Sequence, residues 1–218
     1  PRRALADEAL QQVMEQLVAE GTVRAFGACI PSGARPGDGR RLIRQRRFPV
    51  LDVELGIVDH QPGAELAGLA DAAGSCVIAR GALCRGLLEG KYSSHTTFPP
   101  GDPRADLSRE WLQEGLRRVD LLGFLWADGR PWSLAQASIL WTLSRPGVAS
   151  AVVLIHGEEQ LGEFVDAVGL PDLADEDIAR VEALIESGFA PPPEDAAPAE
   201  DGDDAEAEPE PAGVTAAA

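Results

Sequence analysis

Three cysteines, three histidines, one tyrosine beside a lysine and a few loop cations are the residues of this chain whose types could support chemistry. Cys29, Cys76 and Cys84 form no CxxC pair and no even-numbered framework, so neither a zinc site nor a disulfide scaffold is indicated. The run Gly86 to Lys91 looks like a phosphate-cradling P-loop, but its glycines stand one residue too close, and Tyr92 replaces the Ser or Thr that would hold magnesium. No GxGxxG opens a helix after a strand, and there is no GxSxG nucleophile elbow. Rossmann-type dinucleotide binding and triad hydrolysis both lose support. Tyr92 adjoins Lys91, yet adjacent residues on an extended segment point to opposite sides. His60, His95 and His156 read as surface or loop histidines.

These residues sit in a chain of 218 with 44% hydrophobic content, enough for a real core. The formal charge of −17 is unevenly spread, because from about Ala190 onward the sequence is Pro, Ala, Asp, Glu and Gly-rich with no Lys or Arg. Residues 190–218 have no apolar periodicity and are expected to form a disordered, solvated acidic tail, with protein binding as its sharper reading. Nucleic acid is a poor partner for this charge balance. The one basic cluster, Arg40, Arg41, Arg44, Arg46 and Arg47, reads as a solvated helix face, with phosphate binding as the alternative. No apolar run approaches the roughly 20 residues of a membrane span, and no signal peptide is evident. A reducing cytoplasm and no membrane partner are therefore expected. The chain begins with Pro, which hints at a truncated or processed start.

The elements that must position these residues alternate. Leu10, Val13, Met14 and Leu17 are at helical spacing between Asp7 and Glu20, and Gly21 supplies a stop. Strands are expected at Val23–Ile30, Val50–Leu55, Cys76–Ala79 and Ala149–Ile155. Helices are expected over Ala64–Ala73, from Leu107 to about Trp126, after a Ser133 cap with Leu134, Ala137, Leu140 and Trp141 on one face, over Glu158–Val168, and over Glu176–Ser187 capped by Asp175. A long polar loop spans Lys91 to Arg104. Strands that read as apolar runs between helices argue for a parallel sheet. A closed eight-stranded barrel takes roughly 250 residues, so about 190 residues with four strands amount to half of one. An open four-stranded sheet fits the periodicity equally.

Several segments resemble the C-terminal half of the aldo/keto reductase family, in order and at matching spacing. Gln16 to Gly27 is similar to the family's "LvreGKiRaiG" lead into its fifth strand, and Val77 to Tyr92 to "viaysPLarGlLtGKy". Phe98 to Asp102 with Arg104 resembles "fpegDxR", and Ser133 to Ala137 resembles "slaQlAL". Arg145 to Ser150, then Glu159-Gln160-Leu161 and Glu163, aligns without a gap to "rpgvssvipGarspeQleeN". The matches run from about residue 8 to 187. The resemblance implies a partial TIM-type (β/α)8 barrel over residues 1–189, strands five to eight, with the first half absent.

By the same resemblance the family binds NADPH, or less often NADH, and reduces carbonyls of small-molecule substrates, with a Tyr donating the proton. Its Asp, Tyr, Lys and His tetrad lies in the absent half, so no catalytic residue is assigned. Cofactor contacts carry over to Leu83, Arg85, Gly86 and Lys91 near the pyrophosphate, to Arg104, and to Gln160 and Glu163 at the adenosine end. Elsewhere the pattern departs. Cys29-Ile30 stands for the Ser-Asn pair that holds the carboxamide, Asp52 for the strand-six Gln, and Leu55 for the aromatic that follows. Gly81-Ala82 stands for Ser-Pro, Leu154 for a Gly, His156 for Arg or Ser, and Phe164 for Asn. Two functions follow as expectations: an NADPH-dependent carbonyl reductase whose catalytic half is elsewhere, or a non-catalytic pseudoenzyme keeping the half-barrel as an interaction module. Either half-barrel should form a homo-oligomer or take a partner chain that completes it. Trp111, Trp126, Trp132 and Trp141 read as core packing.

Overall fold

Asp7 opens the first helix, α1 (Glu8–Ala19), its carboxylate accepting the Leu10 N–H at 3.0 Å. The chain then alternates through β1 (Gly27–Cys29), α2 (Pro36–Gln45), β2 (Val50–Glu54), α3 (Gly63–Ala72) and β3 (Cys76–Arg80). A 3-10 segment (Cys84–Glu89) and a long loop lead to α4 (Arg109–Leu121), a short 3-10 turn (Gly123–Leu125) and α5 (Leu134–Leu143). After β4 (Val148–Val152) come α6 (Glu158–Asp166), a 3-10 turn (Ala167–Gly169) and α7 (Asp175–Glu186). This is a computed structural model describing residues 7–190 apart from 35, 46, 47 and 128. The acidic run 191–218 and two residues of the basic cluster, Arg46 and Arg47, lie outside the described residues. Arg40, Arg41 and Arg44 are exposed on α2, the helix face expected for them.

The four strands form one sheet in the order β1-β2-β3-β4, with every neighbouring pair parallel. Parallel pairing forces each connection to cross over, and helices fill the crossovers. Leu51, Val53, Val77 and Ala79 are buried beneath those helices. Their alternating neighbours Asp52, Glu54, Ile78 and Arg80 project to the other face, where each keeps partial exposure. Among the described residues that second face carries no helix layer, and the outer edges of β1 and β4 pair with no strand.

Several boundaries differ from those expected. Val23–Phe26 and Val153–Ile155 are not strand, because a strand is defined by its partner: β2 begins at Val50 opposite Gly27, and β3 ends at Arg80 opposite Val152. The helix expected from Leu107 to Trp126 breaks at Leu122 into the 3-10 turn Gly123–Leu125. Its start follows Ser108, whose hydroxyl accepts the Trp111 N–H at 3.1 Å. Asp175 lies inside α7 rather than capping it, and together with Glu176 and Asp177 faces the positive end of the helix dipole. Asp177 is also gripped by both Arg130 terminal nitrogens at 2.8 and 2.9 Å.

The helix α5 was expected to bury one face, yet it is buried nearly all round, including Ser138 and Thr142. Its hydroxyl side chains are satisfied, the Ser138 hydroxyl donating to the Ala82 carbonyl at 2.6 Å and Thr142 to the Ser138 carbonyl at 2.9 Å, whereas the buried Trp141 indole N–H has no partner. The Ser133 and Gln136 side chains form a reciprocal capping box at its start. Trp132 and Trp141 lie in the core, and Trp111 and Trp126 pack against it partly buried.

One glycine fixes how α3 meets the lead into β4. Gly147 has φ +77°, and a Cβ there would lie 2.3 Å from the Ala67 carbonyl oxygen. Gly147→Ala should therefore lower stability in urea denaturation by at least roughly 1–3 kcal/mol, the cost of the left-handed backbone alone. Gly68→Ala, exposed in α3 with open space around it, should instead raise stability by about 0.5–1 kcal/mol. Equal effects at the two positions would contradict this packing.

Candidate functional site

The C-terminal ends of the strands carry the chain's polar loops, as the parallel arrangement dictates. Between the ends of β3 and β4 lies a cleft of about 570 Å³, lined by Arg80, Leu83, Arg85, Gly86, Arg104 and His156, with Val152–Leu154 as its apolar wall. A second cleft of about 420 Å³ lies beyond β1 and β2, between the Ile30–Ala34 loop and residues Glu54, Asp59 and Gln61. Arg85 lines both. Three guanidinium groups, those of Arg80, Arg85 and Arg104, line the larger cleft together with the carboxylates of Glu89 and Asp102.

The backbone under Arg85 is unusual. Cys84, Arg85 and Gly86 have φ of 45°, 56° and 89°, so two non-glycine residues hold left-handed conformations in succession. Such strain persists only when the surroundings over-determine it. Here the Tyr92 hydroxyl donates to the Arg85 carbonyl at 2.6 Å, and Cys84 is buried with its thiol donating to the Asp59 carboxylate at 3.1 Å. Burial, with Asp59 beside it, pushes the Cys84 thiol far up and leaves it protonated. A Cβ on Gly86 would lie 2.6 Å from the Tyr92 hydroxyl oxygen, so the close approach of this loop needs glycine.

Tyr92 in turn braces the long loop. Its hydroxyl accepts from Arg104 Nη1 at 2.8 Å, while Arg104 Nε and Nη2 grip both oxygens of Asp102 at 2.9 and 2.6 Å. The Arg104 guanidinium also lies 4.9 Å over the Phe98 ring, which meets Tyr92 edge-on. Burial pushes the Tyr92 phenol up.

The other expected contacts are placed differently. Leu83, Arg85, Gly86 and Arg104 come together at the cleft. Lys91 pairs with Glu89 of the cleft lining at 3.3 Å, is largely exposed and does not itself line the cleft. Gln160 is buried, its Oε1 accepting the His156 N–H at 2.8 Å while its Nε2 has no partner. Glu163 serves the α5–α6 contact, accepting the Ser133 hydroxyl at 2.5 Å through its carboxylate and the Gln136 amide at 2.9 Å through its carbonyl. His95 is exposed on the long loop, and burial together with Arg118 pushes the half-buried His60 down.

Arg80 is the residue sequence reasoning passed over. Its Nε donates to Asp52 at 2.7 Å, Nη1 reaches the Ser32 hydroxyl at 3.3 Å, and Nη2 donates to the Ile30 carbonyl. One guanidinium thus spans from β3 across β2 to the loop after β1. The period-two alternation of Asp52 and Glu54 on β2, with Ile78 and Arg80 on β3, is the signal that places them on one face.

The Arg104 grip sets a measurable titration. It holds the Asp102 carboxyl down at about 2, against an ordinary 3.8. A depressed carboxyl contributes stability above its unfolded value and loses it as pH falls through its folded one, so the brace should release only between about pH 4 and pH 2. Carboxyl NMR of the intact chain should show Asp102 titrating near 2, and Arg104→Ala should return it toward the ordinary value. An unchanged midpoint in that variant would contradict the bidentate pair.

Known proteins agree with this architecture. The model of the aldo/keto reductase family matches residues 1–186. A relative described as a probable voltage-gated potassium channel subunit beta from Oryza sativa subsp. japonica is 32% identical over 113 residues, 48% of this chain and 34% of that protein. Among solved structures, the glycerol dehydrogenase AKR11B4 from Gluconobacter oxydans superposes with a TM-score of 0.66 at 23% identity, covering 85% of this chain and 56% of that one. The holo form of aldo-keto reductase AKR11C1 from Bacillus halodurans gives 0.59 at 22%, covering 83% and 57%. An aldo-keto reductase from Klebsiella pneumoniae in complex with NADPH gives 0.55 at 20%, covering 80% and 52%. The chain therefore spans a third of the plant relative and little more than half of each of these structures. With the family model matched along nearly all of its folded length, this chain belongs to the aldo/keto reductase family.

Proposed function

We propose that this chain supplies the cofactor-phosphate side of an aldo/keto-reductase-type carbonyl oxidoreductase, with the proton donor carried by a complementary unit that completes the barrel. The observation that carries this reading is the cleft at the ends of β3 and β4, where Arg85, Gly86 and Arg104 converge. Arg85 forms no ion pair among the described residues and lines the cleft with Gly86, whose missing Cβ makes room for the Tyr92 hydroxyl that holds this loop. Arg104 is held rigid by Asp102 and Tyr92, and because the Asp102 carboxylate that pairs with it lines the cleft too, the unpaired positive charge there is that of Arg85. This end suits the phosphates of NADPH, the cofactor named in the Klebsiella pneumoniae complex. When bound, the reduced nicotinamide supplies the hydride for carbonyl reduction.

The other end of the site fits less well. Cys29-Ile30 stands at the carboxamide-holding pair of the resemblance and Asp52 at its strand-six Gln, and the Ile30 carbonyl and the Asp52 carboxylate both already accept hydrogen bonds from Arg80. A carboxylate consumed by a guanidinium offers no amide to a nicotinamide. This observation favours the second reading, a non-catalytic module that keeps the cleft without the reaction. No reaction step is assigned to residues of this chain.

Titrating NADPH while following nicotinamide fluorescence tests the first reading. Saturable binding is expected, weakened roughly tenfold or more by Arg85→Ala, the loss expected for a charge-assisted hydrogen bond. Lys91→Ala should have a much smaller effect, since its ammonium is largely exposed and already paired with Glu89. Absence of binding at millimolar cofactor would sink the reductase reading for this chain.

A further inference from the structure

The smaller cleft, of about 420 Å³, has no part in the cofactor reading: of the contacts carried over from the resemblance, only Arg85 lines it. Its size is that of a small-molecule site. Its walls are the loop after β1, the end of β2, the start of α3, the approach to α4 and, from the 3-10 segment, Arg85 itself.

Three charged side chains line this cleft, Glu54, Asp59 and Arg85, and none of them is in an ion pair among the described residues. Glu54 is partly buried, and its carboxylate accepts no hydrogen bond among the described residues. Asp59, also partly buried, accepts only the Cys84 thiol, a weak donor, at 3.1 Å. Partly buried charges without a counter-charge carry a desolvation cost that a ligand of opposite charge recovers. The positive side is built from two elements. Besides Arg85, the ten-residue helix α3 starts at the cleft through Pro62 and Gly63 with no side chain capping it, so the positive end of its dipole lies there. A Cβ on Gly63 would strike the Glu54 carbonyl oxygen, so this glycine brings the helix start and the end of β2 side by side. Around the charges the lining is apolar, with Ile30 and Leu66 buried and Leu107 and Trp111 partly buried.

We propose that this cleft binds a small zwitterion with an apolar body, an amino acid with an aromatic or branched side chain, its ammonium held by Glu54 and Asp59 and its carboxylate by Arg85 and the start of α3. A simple cation would leave Arg85 unanswered, and a simple anion would leave both carboxylates unanswered. Leu107 and Trp111 offer the apolar body an aliphatic and an indole surface. Glu54 does not line the larger cleft, and binding is followed without NADPH, so this proposal and the cofactor reading can fail separately.

The probe is L-phenylalanine, titrated into the full chain while the Trp111 indole N–H resonance is followed by NMR, with phenethylamine and 3-phenylpropionate as ligands that each keep one of its charges. L-Phenylalanine should shift the resonance saturably at millimolar concentration, and each half-ligand should bind roughly tenfold more weakly, the loss expected for a charge-assisted hydrogen bond. Glu54→Gln, which keeps the size of the side chain, should weaken L-phenylalanine and phenethylamine by a similar factor and leave 3-phenylpropionate unchanged. Absence of a saturable shift with L-phenylalanine, a half-ligand that binds as tightly as the zwitterion, or a Glu54→Gln chain that binds L-phenylalanine undiminished would each overturn the proposal. If circular dichroism shows Glu54→Gln unfolded, the comparison of the three ligands on the unmodified chain decides alone.

Discussion

Parallel pairing is the constraint from which the rest of this molecule follows. Four strands running the same way cannot be joined by hairpins, so every connection crosses over and brings a helix onto the same face of the sheet. Leu51, Val53, Val77 and Ala79 disappear beneath those helices. The residues between them, Asp52, Glu54, Ile78 and Arg80, look out from the opposite face. The same constraint sends the loops after β1, β2, β3 and β4 to one end, where the two clefts form. It also leaves two outer edges that these four strands cannot satisfy among themselves.

At the loop end, two guanidinium groups have opposite consequences. Arg104 is fixed by a neighbour two residues away and by the Tyr92 hydroxyl, so it stiffens the loop over the cleft without closing it. Arg80 reaches across the open face and ties Asp52 to the backbone of the β1 loop. The first arrangement keeps the cleft between β3 and β4 open, with Arg85 as the guanidinium there that no carboxylate pairs. The second fills positions that, by the family resemblance, would meet the nicotinamide.

Much of this fold was legible in the sequence because burial leaves a periodic trace. The apolar runs at Val50–Leu55 and Cys76–Ala79 marked strands covered by helices, and Ser133 with Gln136 marked the start of α5. Strand ends were not legible, because Val23–Phe26 and Val153–Ile155 have strand-like composition but no partner alongside. The strain at Cys84 and Arg85 was equally hidden, since left-handed backbone at non-glycine residues is imposed by Tyr92 and Asp59 from elsewhere in the chain. Arg80 was missed for a different reason. Its alternation with Ile78 could be read, but its partners Asp52, Ser32 and Ile30 come together only through the register of three strands.

Hydrogen–deuterium exchange of the intact chain with and without NADP+ tests most directly whether the two ends of the site behave differently. The account predicts ligand-dependent protection of the 81–91 segment and of the loop around Arg104, with little change in the 28–34 loop held by Arg80. Protection concentrated at 28–34, or no protection at any segment under saturating ligand, would contradict it.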